Sequence, residues 1–129
     1  MFKRFTLETV KNTFYDITDS VEGVVAQSGV SDGLTTIYCP HTTAGITINE
    51  HYDPTVVHDM VLALALAFPD RPEFSHGEGN SAAHMKAGVM GASQTVPIQN
   101  GRLLLGRWQG VFFCEFDGPR HRTFYVDIR

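Results

Sequence analysis

Polar and apolar residues alternate with a period of two through the first nine positions, Phe2, Arg4, Thr6 and Glu8 against Lys3, Phe5, Leu7 and Thr9. This predicts an opening β-strand, and NTFYDIT predicts a second that pairs with it. The period then changes. In SVEGVVAQSG the residues Val21, Val24 and Val25 share one helical face, Asp19 or Thr18 can cap the start, and Gly29 is a natural stop. DGLTTIYCPH reads as a strand broken by Pro40, and TTAGITINE continues as an extended, β-branched segment.

The clearest helix follows. Asp53 is a good N-cap and Pro54 a good first helical residue, and Val57, Met60, Val61, Leu64 and Phe68 keep the helical period until Pro69 closes it. PDRPEFSHGEG has the content of an exposed loop, leading to Asn80 as the expected cap of a helix through SAAHMKAGVMGA. QTVPIQ, the turn pair Asn100 and Gly101, and RLLLGRW predict a hairpin, and QGVFFCEF with HRTFYVDI predicts a second around DGPR. The order predicts an α+β fold: one compact domain over residues 1–129, a mostly antiparallel mixed sheet and about three helices.

Composition supports a folded core, since 43% of residues are hydrophobic and 19% charged. A formal net charge of −4 gives no general attraction to nucleic acid or to an anionic membrane, so neither is expected as a partner. The longest apolar run, MVLALALAF, is too short to span a bilayer and the N-terminus has no apolar signal core, so a cytoplasmic location is expected. Cys39 and Cys114 each lie in an apolar strand and are expected to be buried and reduced. No GxGxxG, Walker, CxxC or GxSxG sequence occurs.

Among the six histidines, His41 follows a proline at a strand end, His76 lies in a loop and His84 is one turn into a helix. Three imidazoles can hold Zn²⁺ and leave a position for water or substrate, though this spacing is not diagnostic of a known zinc motif, and the alternative makes His41 and His76 surface residues and His84 a satisfied helix residue. Gly77 and Gly79 before a helix N-terminus suggest anion capture instead, with Lys86 as an added cation on another side of that helix. Binding that weakens at low pH would mark a metal, and the opposite trend an anion held by protonated histidines. His51 and His58 read as surface or interface residues. Thr42, Thr43, Asn49 and Glu50 are suited to orienting a polar ligand, although threonines are equally natural strand formers. Trp108 and Gln109 fall at the start of a strand, and Glu115 reads either as a general base or metal ligand or as a carboxylate paired with Arg120 or Arg122.

The ordered blocks HTTAGITINE, DPTVVHDM, AHMKAGVMG, VPIQNGRLLLGRWQG and CEFDGPR resemble the YjbQ-like family, proposed secondary thiamine-phosphate synthases. The resemblance covers nearly the whole chain from about His41 onward. It implies a homotrimer with a polar site of His41, Asn49, His76 and His84. It also implies a transferase that joins an aminopyrimidine methyl diphosphate to a thiazole phosphate, with Mg²⁺ on the diphosphate. HTT supplies His41, NE supplies Asn49 and Glu50, AHMK supplies His84 and Lys86, and WQG supplies Trp108, which can stack on a heteroaromatic ring, and Gln109. Relatives often carry an acid between Asn80 and His84, where this chain has Ser81, Ala82 and Ala83. A metal-dependent hydrolase of another substrate and a non-catalytic metabolite- or metal-binding protein are the alternatives.

Overall fold

The computed structural model describes residues 1–129. In chain order the elements are β1 (Phe2–Thr9), β2 (Phe14–Asp16), α1 (Thr18–Ser28), β3 (Gly33–Tyr38), β4 (Ala44–Glu50), α2 (Pro54–Ala67), α3 (Ser81–Met90), β5 (Ser93–Gln99), β6 (Arg102–Leu103), β7 (Gln109–Glu115) and β8 (Arg120–Ile128). The fold is α+β with three helices, as expected, and its strands divide between two antiparallel sheets. One has the order β1-β8-β3-β5-β6 and the other β2-β7-β4. No helix is long and apolar enough to cross a membrane.

Alternation along β7 explains the layers. Val111 and Phe113 point into a cluster of 16 buried residues that joins the inner faces of both sheets to Val21, Val24 and Val25 of α1. Phe112 and Cys114 point the other way, into a cluster with Phe14, Phe116, Ala83 and Ala87, against which Val57, Met60, Val61 and Leu64 of α2 pack. A central strand with both faces covered reads as a continuous apolar run, as VFFC does. Cys39 and Cys114 are buried free thiols. Burial pushes the Cys39 thiol up to about 11 and raises that of Cys114 further.

Local expectations hold at several points. Asp53 caps α2 by accepting the Thr55 N–H at 2.9 Å, with Pro54 in the first turn. The β5–β6 hairpin turns through Asn100 and Gly101 at φ 52° and 77°, a pair of positive angles suited to Asn-Gly.

Long-range pairing departs from the sequence reading. β1 pairs with β8 and β2 with β7, not with each other. β7 and β8 form no hairpin, because the chain changes sheets between them. Asn12 Oδ1 accepts the Gly118 N–H at 2.7 Å and Thr9 Oγ1 the Arg120 N–H at 2.9 Å, contacts that draw the connection toward the N-terminal segment. The expected strand RLLLGRW is reduced to Arg102–Leu103.

Two helix caps also differ. Asp16, two residues before α1, accepts the Thr18 N–H at 3.0 Å, so neither Asp19 nor Thr18 supplies the cap. Asn80 does precede α3, but its amide donates to Asp117 Oδ2 at 2.8 Å. Asp70 serves the helix in its place, accepting the Ala82 N–H at 3.3 Å.

Candidate functional site

The segment between β3 and β4, the loop before α3 and the start of β8 enclose a cleft of about 390 Å³. Its eleven lining residues are Pro40 and ten polar or charged ones, His41, Thr42, Thr43, His76, Glu78, Asn80, His84, Asp117, Arg120 and Arg122. His41, His76 and His84, the three histidines singled out in the sequence, all line this cleft. The His76 and His84 rings meet edge to face with centroids 5.3 Å apart.

His41 is held more tightly. Its Nε2 accepts the Thr123 N–H at 2.9 Å, which leaves the proton of the neutral ring on Nδ1. Burial, then the neighbouring Arg122 charge, lowers its pKa from the ordinary histidine value. With Nε2 engaged, the trio does not fit a single zinc ion, and no three His, Cys, Asp or Glu side chains anywhere in the molecule are grouped to hold a metal.

Behind the cleft lies a buried ion pair. Glu115 is 1% and Arg122 5% exposed. Arg122 donates through Nε to Glu115 Oε1 at 2.8 Å and through Nη2 to Oε2, and it also reaches Thr43 Oγ1 at 2.9 Å. Thr9 Oγ1 and the Asp117 N–H complete the carboxylate's partners at 2.6 and 3.0 Å. Burial alone would raise the Glu115 pKa, but these donors and the Arg122 charge outweigh it and hold the carboxyl below its ordinary value. Of the two readings open for Glu115, the structure takes the paired carboxylate: Glu115 stands out of the cleft as the partner that orients Arg122, which does line it.

At the rim, Arg120 donates to Asp117 through Nε at 3.0 Å and Nη2 at 2.9 Å. Guanidinium has five N–H groups, so others stay free for a ligand. Glu78 is the one cleft carboxylate outside an ion pair.

Several expected residues lie elsewhere. Thr43 and Asn49 flank or occupy opposite ends of β4, roughly 20 Å apart at strand rise. Asn49 Oδ1 accepts the Glu50 N–H at 2.8 Å, outside the cleft. Trp108 packs edge-on to Tyr52 at 5.5 Å under the Arg107 guanidinium, and Gln109 accepts the Gly106 N–H at 2.7 Å, both at that far end. Lys86 also stands outside the cleft, on another side of α3 from His84. The sequence reading missed Asp117, Arg120 and Arg122 as lining residues because DGPR looked like a hairpin turn; the usable signal was their clustering beside Glu115.

A family model described as UPF0047 protein YjbQ-like matches residues 3–129. UPF0047 protein YugU of Bacillus subtilis is 52% identical over 99% of this chain and 98% of its own length. A UPF0047 protein of Methanocaldococcus jannaschii is 50% identical over 99% and 94%. A crystal structure of an uncharacterized conserved YjbQ/UPF0047 protein from Clostridium acetobutylicum superposes with a TM-score of 0.96 at 51% identity, covering 98% of this chain and 99% of that one. A protein of unknown function from Sulfolobus solfataricus reaches 0.95 at 32% identity, covering 99% and 95%.

Proposed function

The chain belongs to the YjbQ-like UPF0047 family, and from that premise we propose that the cleft at His41, His76 and His84 is an enzyme site for phosphorylated, heteroaromatic metabolites. The reaction is thiamine-phosphate synthesis: a thiazole phosphate nitrogen attacks the methylene of an aminopyrimidine methyl diphosphate, the C–N bond forms as the C–O bond breaks, and diphosphate leaves. The choice of reaction rests on the motif resemblance, and the choice of site on one observation. Apart from Pro40 the cleft is lined by polar or charged residues, and three of them bring hydrogen-bond donors to its walls, the His41 Nδ1–H, the free Arg120 N–H groups and the Thr42 hydroxyl.

Donors fixed before the reaction begins stabilise charge that develops on a leaving group without reorganising. Arg122, locked by Glu115 and Thr43, adds a positive charge that cannot swing away. Magnesium supplies charge neutralisation when it arrives on the diphosphate. The cleft itself offers Glu78 and no carboxylate cluster, so no step is assigned to a protein-held ion.

The homotrimer implied by the resemblance is part of the same reading. Supporting it, Phe2, Tyr38 and Tyr125 form an aromatic row on the five-stranded sheet in which Phe2 and Tyr38 are exposed, and Leu62 and Leu66 of α2 are exposed too. Assembly offers a route by which Asn49, Trp108 and Gln109 serve a cleft on another copy. The reduced buried thiols fit a cytoplasmic location.

The test is to supply purified protein with Mg²⁺ and both substrates and to measure thiamine phosphate by chromatography. The wild type is expected to make product, and His41→Ala and His84→Ala to lose at least about tenfold with circular dichroism unchanged. No product from folded wild type refutes the reaction, and full activity in both variants refutes the site.

A further inference from the structure

His51 read as a surface residue and takes no part in the proposed synthase, yet its ring is held from three directions. Nδ1 lies 2.9 Å from Asp16 Oδ2, and Asp16 Oδ1 accepts the N–H and hydroxyl of Thr18 at 3.0 and 2.5 Å. Burial raises the Asp16 pKa, but the bonds from Thr18 and His51 outweigh it and hold the carboxyl below its ordinary value. An ionised Asp16 can only accept, so the neutral imidazole carries its proton on Nδ1 and presents a lone pair at Nε2, which has no partner in the protein. A Cβ at Gly110 would fall 2.5 Å from His51 Cγ, so glycine there is what lets the ring lie against β7. Tyr52 meets the ring edge to face at 4.8 Å.

His51 and Asp16 border a cavity of about 440 Å³ with an apolar wall of Phe14, Val57, Val61 and Phe112. The polar side chains around it largely have hydrogen-bond partners already. Asp53 accepts from Thr55 at 2.9 and 2.6 Å, Glu50 from the Asp53 N–H at 3.2 Å, and His58 meets Asp59 at 2.9 Å. Lys11 is the one cation at the rim outside an ion pair. A cavity with an apolar wall that is bordered by a neutral imidazole suits an uncharged ring compound better than a diphosphate.

We propose that this cavity is a second small-molecule site, which takes a compound with a flat apolar ring and a hydroxyl, the hydroxyl donating to Nε2 of His51 while Asp16 fixes the tautomer that accepts it. None of its residues lines the histidine cleft, so it stands or falls separately from the synthase.

The probes are 4-methylphenol and its methyl ether, 4-methylanisole, titrated into the full chain by isothermal calorimetry and by NMR of the His51 ring. The wild type should bind the phenol about tenfold more tightly and shift the His51 signals on saturation. Asp16→Asn turns an amide N–H toward Nδ1 and moves the ring proton to Nε2, so the preference should vanish or reverse. His51→Phe, which keeps an aromatic ring and removes the acceptor, should equalise the probes and tests the same contact independently if the first variant folds poorly. Equal affinities in the wild type, no saturable binding of the phenol, or a preference that survives in whichever variant folds overturns the site.

Discussion

Glu115 shows what a buried carboxylate requires: four donors from Arg122, Thr9 and the Asp117 backbone, in a place water does not reach. Its charge is stabilised only while Arg122 is opposite, and the converse holds for the guanidinium. Glu115→Gln strands a buried cation and is expected to destabilise the protein by on the order of 3 kcal/mol, read from denaturant midpoints. Its pH dependence has a definite sign. The folded pKa is depressed, so the contribution is complete above the unfolded carboxylate value of about 4.3 and is lost as pH falls through the folded one. Asp16 and Asp117 are shifted the same way, so wild-type stability should fall in acid below that value, and the Gln variant should fall less steeply without becoming flat.

Among elements, α2 and the β5–β6 hairpin were legible because their signals are local: a cap, a proline and an apolar period in one case, Asn-Gly in the other. Strand partners were not, because alternation says which face is buried and nothing about which neighbour lies alongside. β1 and β2 are adjacent in sequence and belong to different sheets, and DGPR carries the chain between layers where a turn was expected. The site followed the same rule. His41, His76 and His84 were recognisable by residue type and do share a cleft, whereas Asn49, Trp108 and Gln109 were grouped with them by motif and sit at the far end of β4. The cap of α3 is a long-range contact too, supplied by Asp70 from the preceding loop. Asp70→Ala should therefore cost about 1 kcal/mol in thermal or denaturant unfolding and Asn80→Ala should act through Asp117 instead.

At the scale of the whole molecule, two apolar clusters share β7 as a common wall, with α2 laid over the outer one and presenting Leu62 and Leu66 to solvent. That leaves two apolar faces for association, α2 and the aromatic row on the five-stranded sheet. Multi-angle light scattering is expected to return three times the 14.3 kDa chain mass. A monomer at micromolar concentration would remove the homotrimer from the proposal and with it any cleft shared between copies. Cys39 and Cys114 lie deep in this arrangement, with thiols that stay protonated at neutral pH. The chain consequently contains its own clock for structural opening: a thiol-reactive dye added to the native protein waits for the sheets to part, and its labelling rate reports how often they do.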